Sequence, residues 1–127
     1  MRYTVLATFA ALMAYAFFFV KVGLARRQFG IEAPKTTGNV AFERVFRVQQ
    51  NTVEQLVLFL PSLWIFGTFV SDEIAGLLGL MWTGARALYA VEYYSNAKKR
   101  GPGAALTWVI SLILLVGGTA GAMIVTA

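Results

Sequence analysis

The stretch Ala104–Val125, AALTWVISLILLVGGTAGAMIV, carries no charged residue and decides the fold. A run of roughly 20 apolar residues spans about 30 Å of hydrocarbon as an α-helix, and a helix apolar on every side is a buried one, in a bilayer or in the core of a large protein. Working outward, three more helical segments occupy most of the chain: Tyr3 to about Leu24, Val40 to about Val70, whose first half is polar and whose apolar run starts at Leu56, and Ile74 to about Ala97. Of 127 residues, 58% are hydrophobic and only 13% charged, against about a quarter charged in a typical soluble domain. We therefore expect an all-α integral membrane protein, a four-transmembrane-helix bundle forming a single domain over residues 1–127.

The connections give an orientation. Lys21, Arg26, Arg27 and Lys35 flank the first, and Lys98, Lys99 and Arg100 flank the third, whereas the second carries only Asp72 and Glu73. Basic residues stay on the cytoplasmic side, so the first and third connections are expected there, with both termini opposite. The same positions account for the net charge of +5 without invoking nucleic acid. The first run follows Arg2 and contains Ala14-Tyr15-Ala16, as a signal peptide could, but it exceeds a signal h-region and basic residues follow it, so a retained helix is expected. Pro61 interrupts the second helix, where proline kinks the backbone. Gly101-Pro102-Gly103 reads as a break between the third and fourth, and Trp108 as an interfacial anchor. Gly76, Gly79, Gly84, Gly117, Gly118 and Gly121 read as close-packing positions between helices.

With no cysteine and no histidine, a disulfide framework, a thiol nucleophile, Cys/His metal sites and histidine base chemistry are excluded. The polar residues that remain are organised. At about 100° per residue, Arg44, Arg47, Asn51 and Glu54 lie within about 80° on one helix, and Arg86, Tyr89, Tyr93 and Arg100 within about 60° on another. Such residues at membrane depth cost about 2.5–3.5 kcal/mol each and turn toward protein or a wet cavity. A purely structural network is one reading, with Glu43 pairing Arg47 and Arg47 pairing Glu54. The arginines outnumber the acids, however, and guanidinium groups bind carboxylates in bidentate fashion. An anionic ligand is expected.

The run Phe42-Glu43-Arg44-Val45-Phe46-Arg47-Val48-Gln49-Gln50-Asn51-Thr52-Val53-Glu54 closely resembles the signature of the MAPEG family, membrane-associated proteins in eicosanoid and glutathione metabolism. Ala25-Arg26-Arg27, Thr36-Thr37-Gly38, Ala85-Arg86 with Tyr89 and Tyr93, and Arg100 extend the resemblance over about residues 20–105. Within the family it looks most like the microsomal glutathione transferase and leukotriene-C synthase branch. The resemblance implies a homotrimer with glutathione, a co-substrate, held between subunits, and no metal. It implies glutathione contacts from Arg47, Asn51, Glu54, Tyr89 and Tyr93, with Arg26, Gln49 and Arg86 contributing, and Glu54 facing the ammonium. It implies that Arg100 is the catalytic residue that stabilises the thiolate. The implied function is transfer of glutathione to hydrophobic electrophiles, with peroxidase activity toward lipid hydroperoxides. Gln55, where that branch usually has an aromatic residue, and the late position of Pro61 argue against a leukotriene-type substrate. The alternative is a non-catalytic lipid-binding or scaffold member of the same fold. The arginines matching Arg47 and Arg100 are missing from the family's non-catalytic five-lipoxygenase-activating protein, and their presence here favours an enzyme. A small transporter is disfavoured, because the fourth helix carries no charge.

Overall fold

The computed structural model describes residues 1–96, 98 and 101–127. Four α-helices account for nearly all of them: α1 Arg2–Phe29, α2 Val40–Phe69, α3 Asp72–Ser95 and α4 Gly101–Thr126. Each is long and apolar enough to cross a bilayer. Even α3, with 24 residues, reaches about 36 Å at 1.5 Å per residue.

The helix ends have local causes, and several correct the sequence boundaries. α1 continues past Leu24 through Arg26 and Arg27, because Gly30 adopts φ 66 and donates its N–H to Arg26 O. A left-handed glycine satisfies the terminal carbonyls, and two cations suit the negative end of the helix dipole. The first connection is accordingly shorter than expected. The Asn39 side chain caps α2 by accepting from Phe42 N at 3.0 Å. Ser71 caps α3 by accepting from Ile74 N at 3.2 Å, which places Asp72 and Glu73 inside its first turn, where acids oppose the positive dipole end. Gly101-Pro102-Gly103 is not a break but the first turn of α4. Proline fits there because first-turn N–H groups have no helical acceptor to lose. α2 stays helical through Pro61, which is exposed.

α1 packs on α2 and α3, α4 packs on the same two, and α2 meets α3 across the middle, so α1 and α4 occupy opposite corners. Phe59 of α2 and Trp82 of α3 stack at the centre, ring centroids 4.1 Å apart and planes 9° from parallel. Small residues bring the backbones together: Gly76 packs on Tyr3, Gly79 on Ala7 and Gly118 on Phe66. Gly84 departs from that expectation, since nothing lies within 4 Å of where its Cβ would be. The outer surface is apolar, with Phe9, Phe17 and Phe19 each 62% exposed.

At one end of the bundle the Asp72 carboxylate ties α3 to α1. It accepts from Tyr3 N (3.1 Å), Thr4 N (2.9 Å) and Thr4 Oγ1 (2.7 Å) and lies 3.5 Å from the α-amino group. These are otherwise unpaired donors of the α1 N-terminus. The polar stripes sit at the opposite end, where α3 finishes and α4 begins.

Candidate functional site

A cavity of about 200 Å³ opens where α2, α3 and α4 meet. Arg47, Asn51 and Gln55 line it from α2, Arg86, Tyr89 and Tyr93 from α3, and Ala104, Thr107 and Trp108 from α4. Within each set the spacing is three or four residues, apart from the adjacent Thr107 and Trp108, so each helix presents one face.

Arg86 is the organising group. The residue is 0% exposed, and its Nη2 donates to Asn51 Oδ1 at 2.9 Å and to Thr52 Oγ1 at 2.8 Å. Thr52 gives its own proton to Val48 O at 2.7 Å, which turns an oxygen lone pair toward the guanidinium. The guanidinium carbon lies 4.3 Å from the Tyr89 ring centroid and 5.9 Å from that of Trp82. Nε and Nη1 have no hydrogen-bond partner among the described residues, and no described carboxylate comes within 4.0 Å. A buried ion without a counter-charge costs on the order of several kcal/mol. An anion in the cavity would offset that cost.

Tyr89 is 3% exposed, with its ring centroid 5.6 Å from that of half-buried Tyr93. Arg47 reaches Glu54 only at 4.0 Å, with side chains 48% and 52% exposed. That member of the structural network exists as a loose pair. The expected Glu43–Arg47 pair is absent among the described residues, because Glu43 Oε2 instead accepts from Gly38 N at 3.3 Å. Arg44, on the same stripe, turns away from the cavity and donates to Tyr94 O and Ser95 O, both at 3.2 Å, closing the C-terminus of α3.

Three predicted residues do not line the cavity: Glu54, which reaches only Arg47, and two that lie elsewhere in the subunit. Gln49 Nε2 donates to Tyr15 Oη at 2.9 Å on the α1 side of α2. Arg26 Nη1 donates to Lys35 O at 2.7 Å, its guanidinium carbon 5.1 Å from the Phe42 ring centroid. Arg100 lies outside the described residues. Thr52, Gln55, Thr107 and Trp108 belong to the cavity or its support without having been predicted to. Trp108 reads as a membrane anchor from sequence, and only the packing of α4 turns it toward α2 and α3.

That packing depends on Gly103. A Cβ there would stand 2.6 Å from Tyr89 N and 2.7 Å from Tyr89 Cα, backbone atoms that cannot rotate away. Gly103→Ala is expected to push α4 off α3 and cost about 1–3 kcal/mol. A detergent melt should show the loss together with weaker ligand binding at the cavity, and an unchanged melt would show that α4 is not held there.

Comparison with known proteins bears on the same region. The model described as MAPEG family matches residues 4–120. An uncharacterized protein of Synechocystis sp. is 49% identical over 112 residues, covering 88% of this chain and 82% of its own length. Microsomal glutathione S-transferase 2 of Homo sapiens is 39% identical over 103 residues, covering 80% of this chain and 70% of its own length. Leukotriene C4 synthase of Bos taurus is 39% identical over 93 residues, covering 73% of this chain and 62% of its own length.

Proposed function

The chain belongs to the MAPEG family, and on that premise we propose that it is a membrane-bound glutathione transferase, adding the glutathione thiolate to hydrophobic electrophiles that arrive from the bilayer. Its four apolar helices make it a multi-pass integral membrane protein. The observation that carries the proposal is the buried, uncompensated Arg86 guanidinium in a cavity that also offers Arg47, Asn51, Tyr89 and Tyr93. Glutathione brings two carboxylates, an ammonium and a thiol, and these residues supply cationic and hydroxyl donors to match. The similarity to a glutathione S-transferase over most of the chain supports the same reading.

In this reading Arg47, Asn51, Arg86, Tyr89 and Tyr93 hold the tripeptide and Glu54 faces its ammonium. Arg26 and Gln49 come from a neighbouring subunit of a homotrimer. Their distance from the cavity in their own subunit supports that assignment, as does the exposure of Arg47 and Glu54 on a helix of a membrane protein. Arg100, next in sequence to α4, stabilises the thiolate. The sulfur then forms a bond to the electrophilic carbon, and the leaving group departs with its electron pair. In the peroxidase reaction the same thiolate attacks the terminal oxygen of a lipid hydroperoxide, the O–O bond breaks and the lipid leaves as its alcohol after taking a proton. A second glutathione thiol then displaces water from the resulting sulfenic acid to give glutathione disulfide. Residues 1–127 act as one domain, with the first and third connections cytoplasmic.

Transfer of glutathione to a chlorinated aromatic electrophile in detergent tests the proposal. A conjugate of the expected mass supports it, whereas bound glutathione without turnover favours the non-catalytic lipid-binding or scaffold alternative. The assembly is tested separately, since detergent-corrected mass should give three chains per particle and a ligand-competent monomer would contradict the shared site.

Arg47→Ala and Glu54→Ala are expected to weaken glutathione binding with little loss of stability. Their pair is half exposed and 4.0 Å apart, and such pairs contribute about 0–1 kcal/mol. Calorimetric affinities beside melting curves check this. Unchanged affinity in both variants would leave the pair a structural one.

A further inference from the structure

A second polar feature lies on the other side of the bundle, in the seam between α1 and α3. Two cavities of about 350 Å³ each meet at Lys21 and Tyr94, which line both, one in that seam and the other between α1 and α2. The deeper one runs between apolar groups, among them Phe17, Phe18, Ala90 and Val91. The shallower one lies toward the C-terminal end of α1, between α1 and α2, where Gln28, Ala41 and Val45 line it. The Lys21 ammonium sits 4.1 Å from the Tyr94 ring centroid, and no described carboxylate lies within 4.0 Å of it. The Tyr94 hydroxyl is buried and has no hydrogen-bond partner among the described residues.

We propose that this seam holds one bilayer phospholipid with an anionic headgroup, its phosphate against the Lys21 ammonium and one acyl chain along the deeper cavity. Three observations select that occupant. The seam is amphipathic in the right order, apolar in depth and polar at its mouth, and each cavity falls within the usual ligand range of roughly 300–1,000 Å³. Its depth is that of a headgroup, because Tyr94 stands next to Ser95, the last residue of α3, and lysine stems run along apolar surface to bring the charge to the interface. Finally, the charge is complementary. Arg26, Arg27, Lys35, Arg44 and Lys98 outnumber Glu32, Glu43 and Glu92 at this end, and basic groups at a membrane surface attract anionic lipid.

The test uses the full chain in neutral detergent, titrated with phosphatidylglycerol, phosphatidylcholine or palmitate, reading retained lipid by native mass and the shift in melting temperature. Phosphatidylglycerol should be retained and raise the melting temperature well above phosphatidylcholine. Lys21→Gln should weaken its binding by at least about fivefold, the loss of one lysine contact at the surface, and Lys21→Arg should keep it. Equal retention of the two phospholipids, or a Lys21→Gln affinity equal to that of the parent, would overturn the proposal. So would Lys21-dependent binding of palmitate alone, or a change of oligomer without a change in lipid. The comparison of lipids on the parent protein decides the matter even where a variant fails to fold. No thiol enters the assay, so its outcome is independent of the glutathione reading.

Discussion

Replacing Arg100 with alanine is expected to lower turnover by about a hundredfold while glutathione binds nearly as before. A free thiol has a pKa of about 8.5, and only the thiolate is nucleophilic. Bringing that value down by about two units takes about 2.7 kcal/mol of preferential thiolate stabilisation, which one guanidinium in a partly desolvated site supplies. Without Arg100 the bound thiol should titrate about two units higher, and the pH–rate profile should move up with it. The sign follows from the charge: a cation favours the anionic thiolate, so its removal raises the pKa and activity returns only at higher pH. Arg100→Lys should recover part of the loss. If Arg100 merely anchors a helix end beside Lys98 and Lys99, alanine would lower insertion or stability and leave the thiol titration alone.

Arg86→Met should separate stability from binding in the opposite way. Methionine fills much of the same space without a charge, so the desolvation cost of a buried guanidinium disappears, while Asn51 and Thr52 each lose one donor. Replacing buried charge by packed apolar groups is often neutral or stabilising. The melting temperature of the ligand-free variant is therefore expected to hold or rise. Glutathione affinity should fall by about a hundredfold, because truncating one partner of a buried charged contact costs about 2–5 kcal/mol. Melting curves with and without glutathione measure both effects on one sample. A destabilised variant that binds normally would make Arg86 a strut between α2 and α3.

The four helices were legible because hydrophobic runs of membrane length have few alternative readings, and the Ala104–Val125 stretch carries no charge at all. Helix ends were harder. Pro102 lacks an N–H whether it breaks a helix or starts one, and the choice depends on whether the following turn can pack, which here means Gly103 against Tyr89. The cavity was half legible. Helical spacing brought Arg47 and Asn51 onto one face and Arg86, Tyr89 and Tyr93 onto another, and the structure joins those two faces. Spacing could not separate Arg44 from Arg47, since both lie on the same stripe and only the position of the α3 terminus decides which one it captures. Nor could it find Thr107 and Trp108, because a helix apolar on every side gives no sign of which side meets α3.

Ultraviolet titration of the bound thiol in the unmodified protein bears most directly on the central claim that this cavity binds glutathione and activates its sulfur. The account predicts thiolate absorbance at neutral pH, with a midpoint about two units below that of free glutathione. Saturating glutathione that titrates like the free thiol would contradict it and leave a binding protein without the chemistry.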